Sequence, residues 1–246
     1  MKLYGLIGYP LGHSFSKKYF TEKFIREEIA HCSYENFSIP DIKELKTILL
    51  QNPQLCGLNI TIPYKQAVIP FLDDISNLPE GMSACNCIKI IKGKLVGYNT
   101  DVIGFEKSLL GKLKSHHNKA LILGNGGASE AVKYVLRQLK IDFKVVSRKL
   151  QDGSDLTYED LNETIMNEHL LIINTSPVGT YPNDTECPAI PYQFITSKHY
   201  LFDLVYNPSK TLFLQKAEEF GATIKNGYDM LEIQAEESWR IWNDNQ

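Results

Sequence analysis

The chain has 246 residues, of which 43% are hydrophobic and 22% are charged, and its formal net charge is −3. This composition is typical of a globular protein with one large domain or two modest ones. The charge argues against a partner such as nucleic acid or an anionic membrane, so a small anionic ligand would need a local cluster of positive charge.

The cysteines and the N-terminal segment indicate the class of protein. Five cysteines, an odd number without a Cys-x-x-Cys pair, favour free thiols in a reducing compartment. Cys85 and Cys87 have no second Cys/His pair at zinc spacing, so no metal is expected. The N-terminal segment is typical of a strand rather than a signal peptide, and no apolar run approaches the roughly 20 residues that span a bilayer. We therefore expect a soluble, cytoplasmic protein.

Strand and helix patterns alternate over residues 1–101. Apolar runs predict strands at KLYGLIG, YENFSI and LCGLNIT. SKKYFTEKFIREEI and DIKELKTILLQ are expected to be helices, the first with Phe20, Phe24 and Ile25 on one apolar face, and YKQAVIPFL a short one. NCIKII and KLVGYNT flank Lys92-Gly93, which predicts a hairpin. This part of the chain is expected to be a mixed α/β domain.

Residues 102–227 have the pattern of a parallel α/β domain. VIGFEKSLLGKL predicts a helix, and ALILG, EAVKYVLRQLK and FKVVS predict a strand–helix–strand unit. HLLIINTS, YLFDLVY and ATIKN predict further strands, apolar throughout as in a sheet covered on both faces. The last helix, MLEIQAEESWRIW, is expected to pack back on the first domain. The domains are thus predicted as 1–101 with 228–246, and 102–227.

A glycine-rich loop follows the first strand of the second domain. Gly124, Gly126 and Gly127 stand between a strand and a helix, where backbone can approach a phosphate and the helix N-terminus offers N–H groups. The spacing is not a strict G-x-G-x-x-G, and an ordinary tight turn is the alternative. The strand–helix–strand context favours a dinucleotide site.

The end of the next strand distinguishes the two common dinucleotides. NAD sites usually carry an acidic residue here, which holds the ribose 2′-hydroxyl. This chain has Ser147, Arg148 and Lys149 instead. A guanidinium can bind a 2′-phosphate with paired donors, so the sequence favours NADP. The alternative is that both charges are solvated loop residues.

Several small polar residues of the first domain stand where strands end or helices start. Each could be an ordinary cap or turn residue. Because the carboxyl ends of parallel strands share one edge, they could also line one cleft suited to a polyhydroxylated anion. A Lys65–Asp101 pair would then be a candidate acid/base. The full set is Ser14, Ser16, Asn59, Thr61, Lys65, Asn86, Asn99, Thr100 and Asp101.

Six motifs in chain order resemble shikimate dehydrogenase: PLGHSFS, NITIPYK, GYNTD, LGNGGAS, INTSPVGTYP and FDLVYNP. The resemblance implies an N-terminal substrate domain completed by the last helix, a Rossmann-type NADP domain, and a cleft between them. It also implies NADPH-dependent reduction of 3-dehydroshikimate to shikimate, on the pathway to chorismate and aromatic amino acids. A monomer or homodimer is expected.

The resemblance also assigns roles to individual residues. Ser14 and Ser16 would bind the substrate carboxylate; Thr61, Asn86 and Asp101 ring hydroxyls; and Lys65, paired with Asp101, would be the acid/base. Tyr206 and Gln234 match positions at the substrate edge. Gly124, Asn125, Gly126, Gly127 and Ala128 would hold the pyrophosphate, and Arg148 the 2′-phosphate. Asn174, Thr175 and Ser176 match a strand end near the cofactor, and Leu204 and Gly227 the nicotinamide pocket.

Three other functions compete with this interpretation. A quinate/shikimate dehydrogenase that prefers NAD would carry an acidic residue near position 148, and none is present. A methylenetetrahydrofolate dehydrogenase has a similar cofactor domain and a lysine, but the serine pair and the NTD motif argue against it. A non-catalytic binding paralogue would be expected to lack Lys65 or Asp101.

Overall fold

The structure, a computed structural model, describes residues 1–12, 15–150 and 153–244 and consists of two compact units. The N-terminal unit comprises Met1–Thr100 and Gln234–Gln246, and the central unit comprises Asp101–Ile233. The chain passes from one unit to the other after Thr100 and again after Ile233, and both boundaries lie inside helices. The sequence patterns place these boundaries after Asp101 and before Tyr228. That one unit binds substrate and the other cofactor stays a prediction.

The N-terminal unit contains a five-stranded mixed sheet in the order β2-β1-β3-β4-β5. Strands β2, β1 and β3 are parallel, and β3, β4 and β5 are antiparallel. Single 3₁₀ turns precede α2 and follow α3. The elements are β1 (Lys2–Gly8), α1 (Phe15–Arg26), β2 (Cys32–Ser38), α2 (Leu45–Gln51), β3 (Leu55–Ile60), α3 (Tyr64–Ala67), β4 (Cys87–Ile91) and β5 (Lys94–Tyr98).

Local sequence chemistry accounts for two features of this unit. The predicted hairpin is confirmed: Lys92 and Gly93 connect β4 to β5 with φ angles of 50° and 80°, the left-handed conformation that tight hairpin turns need. In α1, Phe20 and Phe24 are buried as expected, but the expectation for Ile25 is wrong, because its side chain is 75% exposed. Ile25 is one residue further round the helix than Phe24 and so lies outside the narrow apolar stripe.

The last helix, α8 (Tyr228–Asn243), packs its second half on the N-terminal sheet. The Trp242 ring stacks on Tyr4 with centroids 4.8 Å apart, and its Nε1 donates to the Ile88 carbonyl at 3.0 Å. Gly57 makes room for this ring, because a Cβ there would come within 2.6 Å of Trp242 Cε2. The close contact between strand and indole requires glycine at this position.

The central unit contains a six-stranded, fully parallel sheet in the order β11-β10-β9-β6-β7-β8. This confirms the predicted Rossmann-type α/β fold. Strands β6, β9 and β10 are almost entirely buried, which explains their continuous apolar sequences. The elements are α4 (Thr100–Leu110), β6 (Lys119–Leu123), α5 (Gly127–Gln138), β7 (Asp142–Ser147), β8 (Leu156–Thr157), α6 (Glu163–Glu168), β9 (Leu171–Asn174), β10 (Tyr200–Asp203), α7 (Leu212–Glu219) and β11 (Thr223–Lys225).

Three elements of the central unit are absent from the sequence-based assignment. They are β8, α6 and α7, which have 2, 6 and 8 residues. Such short segments give weak periodic signals, and packing on the sheet decides their conformation.

All five cysteines are free thiols. Within the described part of the chain, no helix is both long and apolar enough to cross a membrane, and no cluster of three or more His, Cys, Asp or Glu side chains could hold a metal ion.

Candidate functional site

The central sheet has a topological switch point between β6 and β9. From β6 the chain continues to β7 and β8 on one side, and β9, β10 and β11 follow on the other. Loops that leave two such neighbouring strands diverge and open a crevice at the carboxyl edge of the sheet, where α/β proteins bind ligands. Here those loops are the glycine-rich loop after β6 and the Asn174–Ser176 segment after β9.

Gly124 brings these two loops into contact. Its φ is +109°, which side chains rarely allow, and a Cβ would lie 3.1 Å from Thr175 Oγ1 and 3.2 Å from the Ser176 nitrogen. The Thr175 hydroxyl donates to the Leu123 carbonyl at 3.0 Å. Gly124 and Thr175, both predicted to bind cofactor, therefore meet at the switch point.

Gly126 and Gly127 differ from Gly124. A Cβ at either would meet no atom within 4 Å, so packing inside the protein does not demand glycine there. Among the described residues, no side chain caps helix α5 at Gly126, although the first N–H groups of a helix lack intrahelical acceptors. Open space beside the first turn of α5 and a positive helix terminus suit a pyrophosphate. The predicted loop therefore fits the group assigned to it.

Asn125 in the same loop accepts a hydrogen bond from Lys133 Nζ at 2.6 Å. Lys133 is buried and also bonds to Glu130 at 3.0 Å. Together these side chains tie the loop to α5. Ala128, also predicted to contact the pyrophosphate, lies in the first turn of α5.

The end of β7 has the polarity predicted for NADP. Ser147 is buried, and its hydroxyl donates to the Lys149 carbonyl. Arg148 and Lys149 are exposed. Burial raises the pKa of Tyr158, and the positive charge of Arg148 opposes this rise. An exposed guanidinium at this strand end can reach a 2′-phosphate.

Buried groups hold the ends of β9 and β10 together. Asn174 Nδ2 donates to Asp203 Oδ1 at 2.9 Å, and the Ser176 hydroxyl donates to Asn174 Oδ1 at 2.7 Å. Thr211 donates to the other carboxylate oxygen. Burial raises the pKa of Asp203 to about 6. The sequence patterns identify Asn174 and Ser176, but they did not identify Asp203.

The loop after β10 lies against the segment that opens α8. A Cβ on Gly227 would overlap the Leu204 carbonyl, and the Gly227 N–H donates to the Val205 carbonyl at 3.3 Å. Leu204 and Gly227, both predicted to line the nicotinamide pocket, are thus adjacent. Tyr206 is half-buried in the same loop, and burial raises its pKa.

The N-terminal unit brings together three amide side chains that were predicted to bind substrate. Asn86 Nδ2 donates to Gln234 Oε1 at 3.1 Å, and Asn86 Oδ1 accepts from the Thr100 N–H at 2.7 Å. Asn59 Nδ2 lies 3.4 Å from the Asn86 carbonyl. Strand β3, the segment before β4 and helix α8 therefore place their polar side chains at one position.

Ser16 joins the same group through a tyrosine. Tyr34 is buried on β2, and its hydroxyl donates to Asn59 Oδ1 at 2.9 Å. Burial raises the Tyr34 pKa, and a hydrogen bond with the Ser16 side chain opposes that rise. Ser14 lies outside the described residues.

Thr61 directly follows β3, and Lys65 lies in α3 after a short turn over residues 61–63. The Thr61 N–H donates to the Ile7 carbonyl at 2.9 Å, and the Thr61 carbonyl accepts the Tyr64 N–H at 2.9 Å, which starts α3. The Cys85 N–H donates to the Lys65 carbonyl at 2.8 Å and fixes the short helix beside the segment that carries Asn86. The Lys65 side chain is half-buried.

Asp101 belongs to the central unit, whereas Lys65 belongs to the N-terminal unit. Asp101 is buried in the first turn of α4. The pairing of Lys65 with Asp101 stays a prediction.

Two side chains of this site, Tyr34 and Ser238, were missed in the sequence. Ser238 is fully buried and accepts from Asn59 Nδ2 at 2.9 Å. It stands four residues after Gln234, on the same helical face, and this spacing was the available signal. No comparable signal marks Tyr34, because its partners are distant in sequence.

Known proteins resemble the chain in both sequence and structure. Residues 6–88 match the family model described as the shikimate dehydrogenase substrate binding domain. Shikimate dehydrogenase (NADP(+)) of Methanococcus maripaludis is 37% identical over 257 residues, which cover 98% of this chain and 91% of that protein.

Among solved structures, shikimate 5-dehydrogenase of Thermus thermophilus in complex with NADP(H) and shikimate superposes with a TM-score of 0.86 at 28% identity, covering 99% of this chain and 94% of that one. Quinate dehydrogenase of Corynebacterium glutamicum in complex with NAD gives 0.85 at 25% identity, covering 98% and 93%. The fold is therefore shared by proteins of different substrate and cofactor.

Proposed function

The chain belongs to the shikimate dehydrogenase family, and we propose that it is an NADP-dependent oxidoreductase that interconverts shikimate and 3-dehydroshikimate. The observation that carries this proposal is the 37% identity over 98% of the chain with a shikimate dehydrogenase (NADP(+)). The physiological direction we propose is reduction, toward chorismate and the aromatic amino acids.

Substrate binding is assigned to the polar side chains of the N-terminal unit. Shikimate carries one carboxylate and three ring hydroxyls, which call for several donors and acceptors in fixed orientations. The interlocked amides of Asn86 and Gln234 supply both kinds of group. We assign the ring hydroxyls to Asn59, Thr61, Asn86 and Asp101, the carboxylate to Ser14 and Ser16, and the substrate edge to Tyr206 and Gln234.

The proton transfer is assigned to Lys65 with Asp101. In reduction, Lys65 Nζ donates a hydrogen bond to the carbonyl oxygen at C3, stabilises the negative charge that develops there, and delivers the proton. In oxidation it takes the proton back. The Asp101 carboxylate would orient the Lys65 ammonium toward the carbonyl oxygen.

Cofactor binding is assigned to the central unit. We assign the pyrophosphate to the loop from Gly124 to Ala128 and the 2′-phosphate to Ser147, Arg148 and Lys149, and place the nicotinamide beside Thr175, Leu204 and Gly227. The open space above Gly126 and Gly127 and the exposed guanidinium of Arg148 support this assignment. When bound, NADPH supplies the hydride.

The proposal is tested by shikimate-dependent reduction of NADP by the purified chain, followed by absorbance. Quinate in place of shikimate and NAD in place of NADP, each at equal concentration, test the rival quinate dehydrogenase. We expect the highest rate with shikimate and NADP. A preference for quinate or NAD would favour that rival. No reduction with any combination would favour a non-catalytic binding protein.

The contribution of Arg148 to cofactor choice has its own test. Each charge-assisted hydrogen bond to the 2′-phosphate contributes about 1.5–3 kcal/mol. Arg148→Ala should therefore weaken NADP binding at least about tenfold and leave NAD binding nearly unchanged. Lys144→Ala is a suitable control, because Lys144 is an exposed cation of the same strand that lies before its carboxyl end. Equal losses for NADP and NAD would contradict the assignment of Arg148.

A further inference from the structure

Ser238 connects three parts of the N-terminal unit. Its hydroxyl is fully buried in α8 and donates to the Gln234 carbonyl at 2.9 Å. The same oxygen accepts from Asn59 Nδ2 at 2.9 Å and lies 3.4 Å from Thr100 Oγ1. Because Ser238 gives its one hydroxyl proton to Gln234, its oxygen can only accept from Thr100, whose own hydroxyl proton is shared between Ser238 and Asn86 Oδ1 at 3.3 Å.

This arrangement propagates to Asn86. The Thr100 oxygen also accepts from Asn86 Nδ2 at 3.1 Å. Asn86 Oδ1 accepts from the Thr100 N–H at 2.7 Å. The other Nδ2 proton of Asn86 is directed at Gln234 Oε1 at 3.1 Å. The amides of Asn59, Asn86 and Gln234 are therefore connected: Asn59 bonds to Ser238, Ser238 bonds to Thr100, and Thr100 bonds to Asn86, which bonds to the Gln234 side chain.

We propose that Ser238 is a positioning residue of the substrate site. Its buried hydroxyl acts by holding Asn59 directly, and Asn86 and Gln234 through Thr100, in the orientation that binds shikimate. This inference rests on the proposed function. It assigns a role to a residue on α8 that was not part of the predicted site.

The competing explanation is that Ser238 only stabilises the packing of α8. A buried serine that bonds to the carbonyl four residues earlier is common in helices and can be purely structural. The two explanations are separable because the chain has two tryptophans, Trp239 and Trp242, and both lie on α8 beside Ser238. Their fluorescence reports directly on the packing of this helix.

The matched pair of variants is Ser238→Ala and Ser108→Ala. Both serines are buried, but the Ser108 hydroxyl has no hydrogen-bond partner among the described residues. For Ser238→Ala we expect the KM and the calorimetric Kd for shikimate to rise about tenfold, which corresponds to roughly one net hydrogen bond. The kcat, the Kd for NADP and the tryptophan emission maximum should stay as in the wild type. Ser108→Ala should change none of these quantities.

Two results would overturn the proposal: an unchanged Kd for shikimate in Ser238→Ala, or a weaker Kd accompanied by a red-shifted tryptophan emission. Should Ser238→Ala not fold, Ser238→Cys replaces the hydroxyl by a thiol, which is a weaker donor and acceptor, and the same criteria apply to it. Failure of the proposed function is seen separately, because then the wild-type protein itself neither binds nor oxidises shikimate.

Discussion

Glycine at position 127 could be needed either for the stability of the fold or for the close approach of a phosphate. The Gly127→Ala variant distinguishes these two explanations. A Cβ at Gly127 meets no atom within 4 Å, and the residue lies in the first turn of α5. Alanine is favoured over glycine in helices by up to about 1 kcal/mol. The variant should therefore be at least as stable as the wild type, with a melting temperature raised by no more than about 4 °C.

Cofactor binding should respond in the opposite direction. Hydrogen bonds from backbone N–H groups to a charged acceptor contribute about 1.5–3 kcal/mol each. A methyl group in the open space above the helix terminus would displace a bound pyrophosphate from at least one of them. The Kd for NADP should rise about 10- to 100-fold, measured by calorimetric titration alongside thermal unfolding.

Gly124→Ala is the contrasting control. Its φ of +109° and the 3.1 Å approach to Thr175 Oγ1 predict a loss of stability of at least about 1 kcal/mol. If Gly127→Ala binds NADP as tightly as the wild type, the explanation that Gly127 leaves room for the pyrophosphate is refuted. A Gly127→Ala that melts well below the wild type would show instead that this glycine is needed by the fold.

Three further predictions concern the reacting proton, the response to acid and the packing of α8. Lys65→Ala should lower kcat at least about 10²-fold and barely change the Kd for shikimate; near wild-type turnover would remove Lys65 from the acid/base role. His199 is fully buried, burial lowers its pKa, and its Nδ1 accepts the Thr196 N–H at 3.0 Å, so the ring must stay neutral in the fold. Because the unfolded chain then takes up the proton first, stability should fall as the pH drops below about 6.5, by up to about 1.4 kcal/mol per pH unit from this residue. The free energy of unfolding, measured by urea titration at several pH values, should change less per pH unit in His199→Gln than in the wild type. An equal pH dependence in both proteins would contradict the argument. Gly57→Ala should lower the free energy of unfolding by about 1–3 kcal/mol, because the added methyl group displaces Trp242. The loss is measured as lower thermal stability with altered tryptophan fluorescence. An unchanged melting curve would mean that β3 accommodates the methyl group without displacing the indole.

The sequence by itself determined most of the strands and helices, the hairpin at Lys92-Gly93 and the glycine-rich turn between β6 and α5. These features are encoded locally. An apolar run between turn residues predicts a buried strand, a residue pair that accepts positive φ predicts a tight hairpin, and glycines between a strand and a helix predict a phosphate loop. The signal weakened for short elements, so α6 and α7 were not predicted.

The candidate site was predicted as a set of residues but not as an arrangement. Asn59, Asn86 and Gln234 were each named as candidates, yet the hydrogen bond between Asn86 and Gln234 spans 148 positions of the chain. The spacing from Gln234 could have drawn attention to Ser238, but its contact with Asn59, 179 positions away, could not be predicted. No periodicity or local motif encodes a contact over such separations.

Gly57 illustrates what only the tertiary structure decided. In the sequence it is a glycine within a strand, which weakens the strand prediction and explains nothing. In the fold it is the position where the Trp242 indole crosses β3, and any side chain there would collide with it. The sequence determines which segments are helices and strands because backbone preferences and apolar periodicity are local. Which buried polar groups and rings meet is decided only when distant segments pack, because each buried donor, acceptor and ring must then find a partner of matching shape.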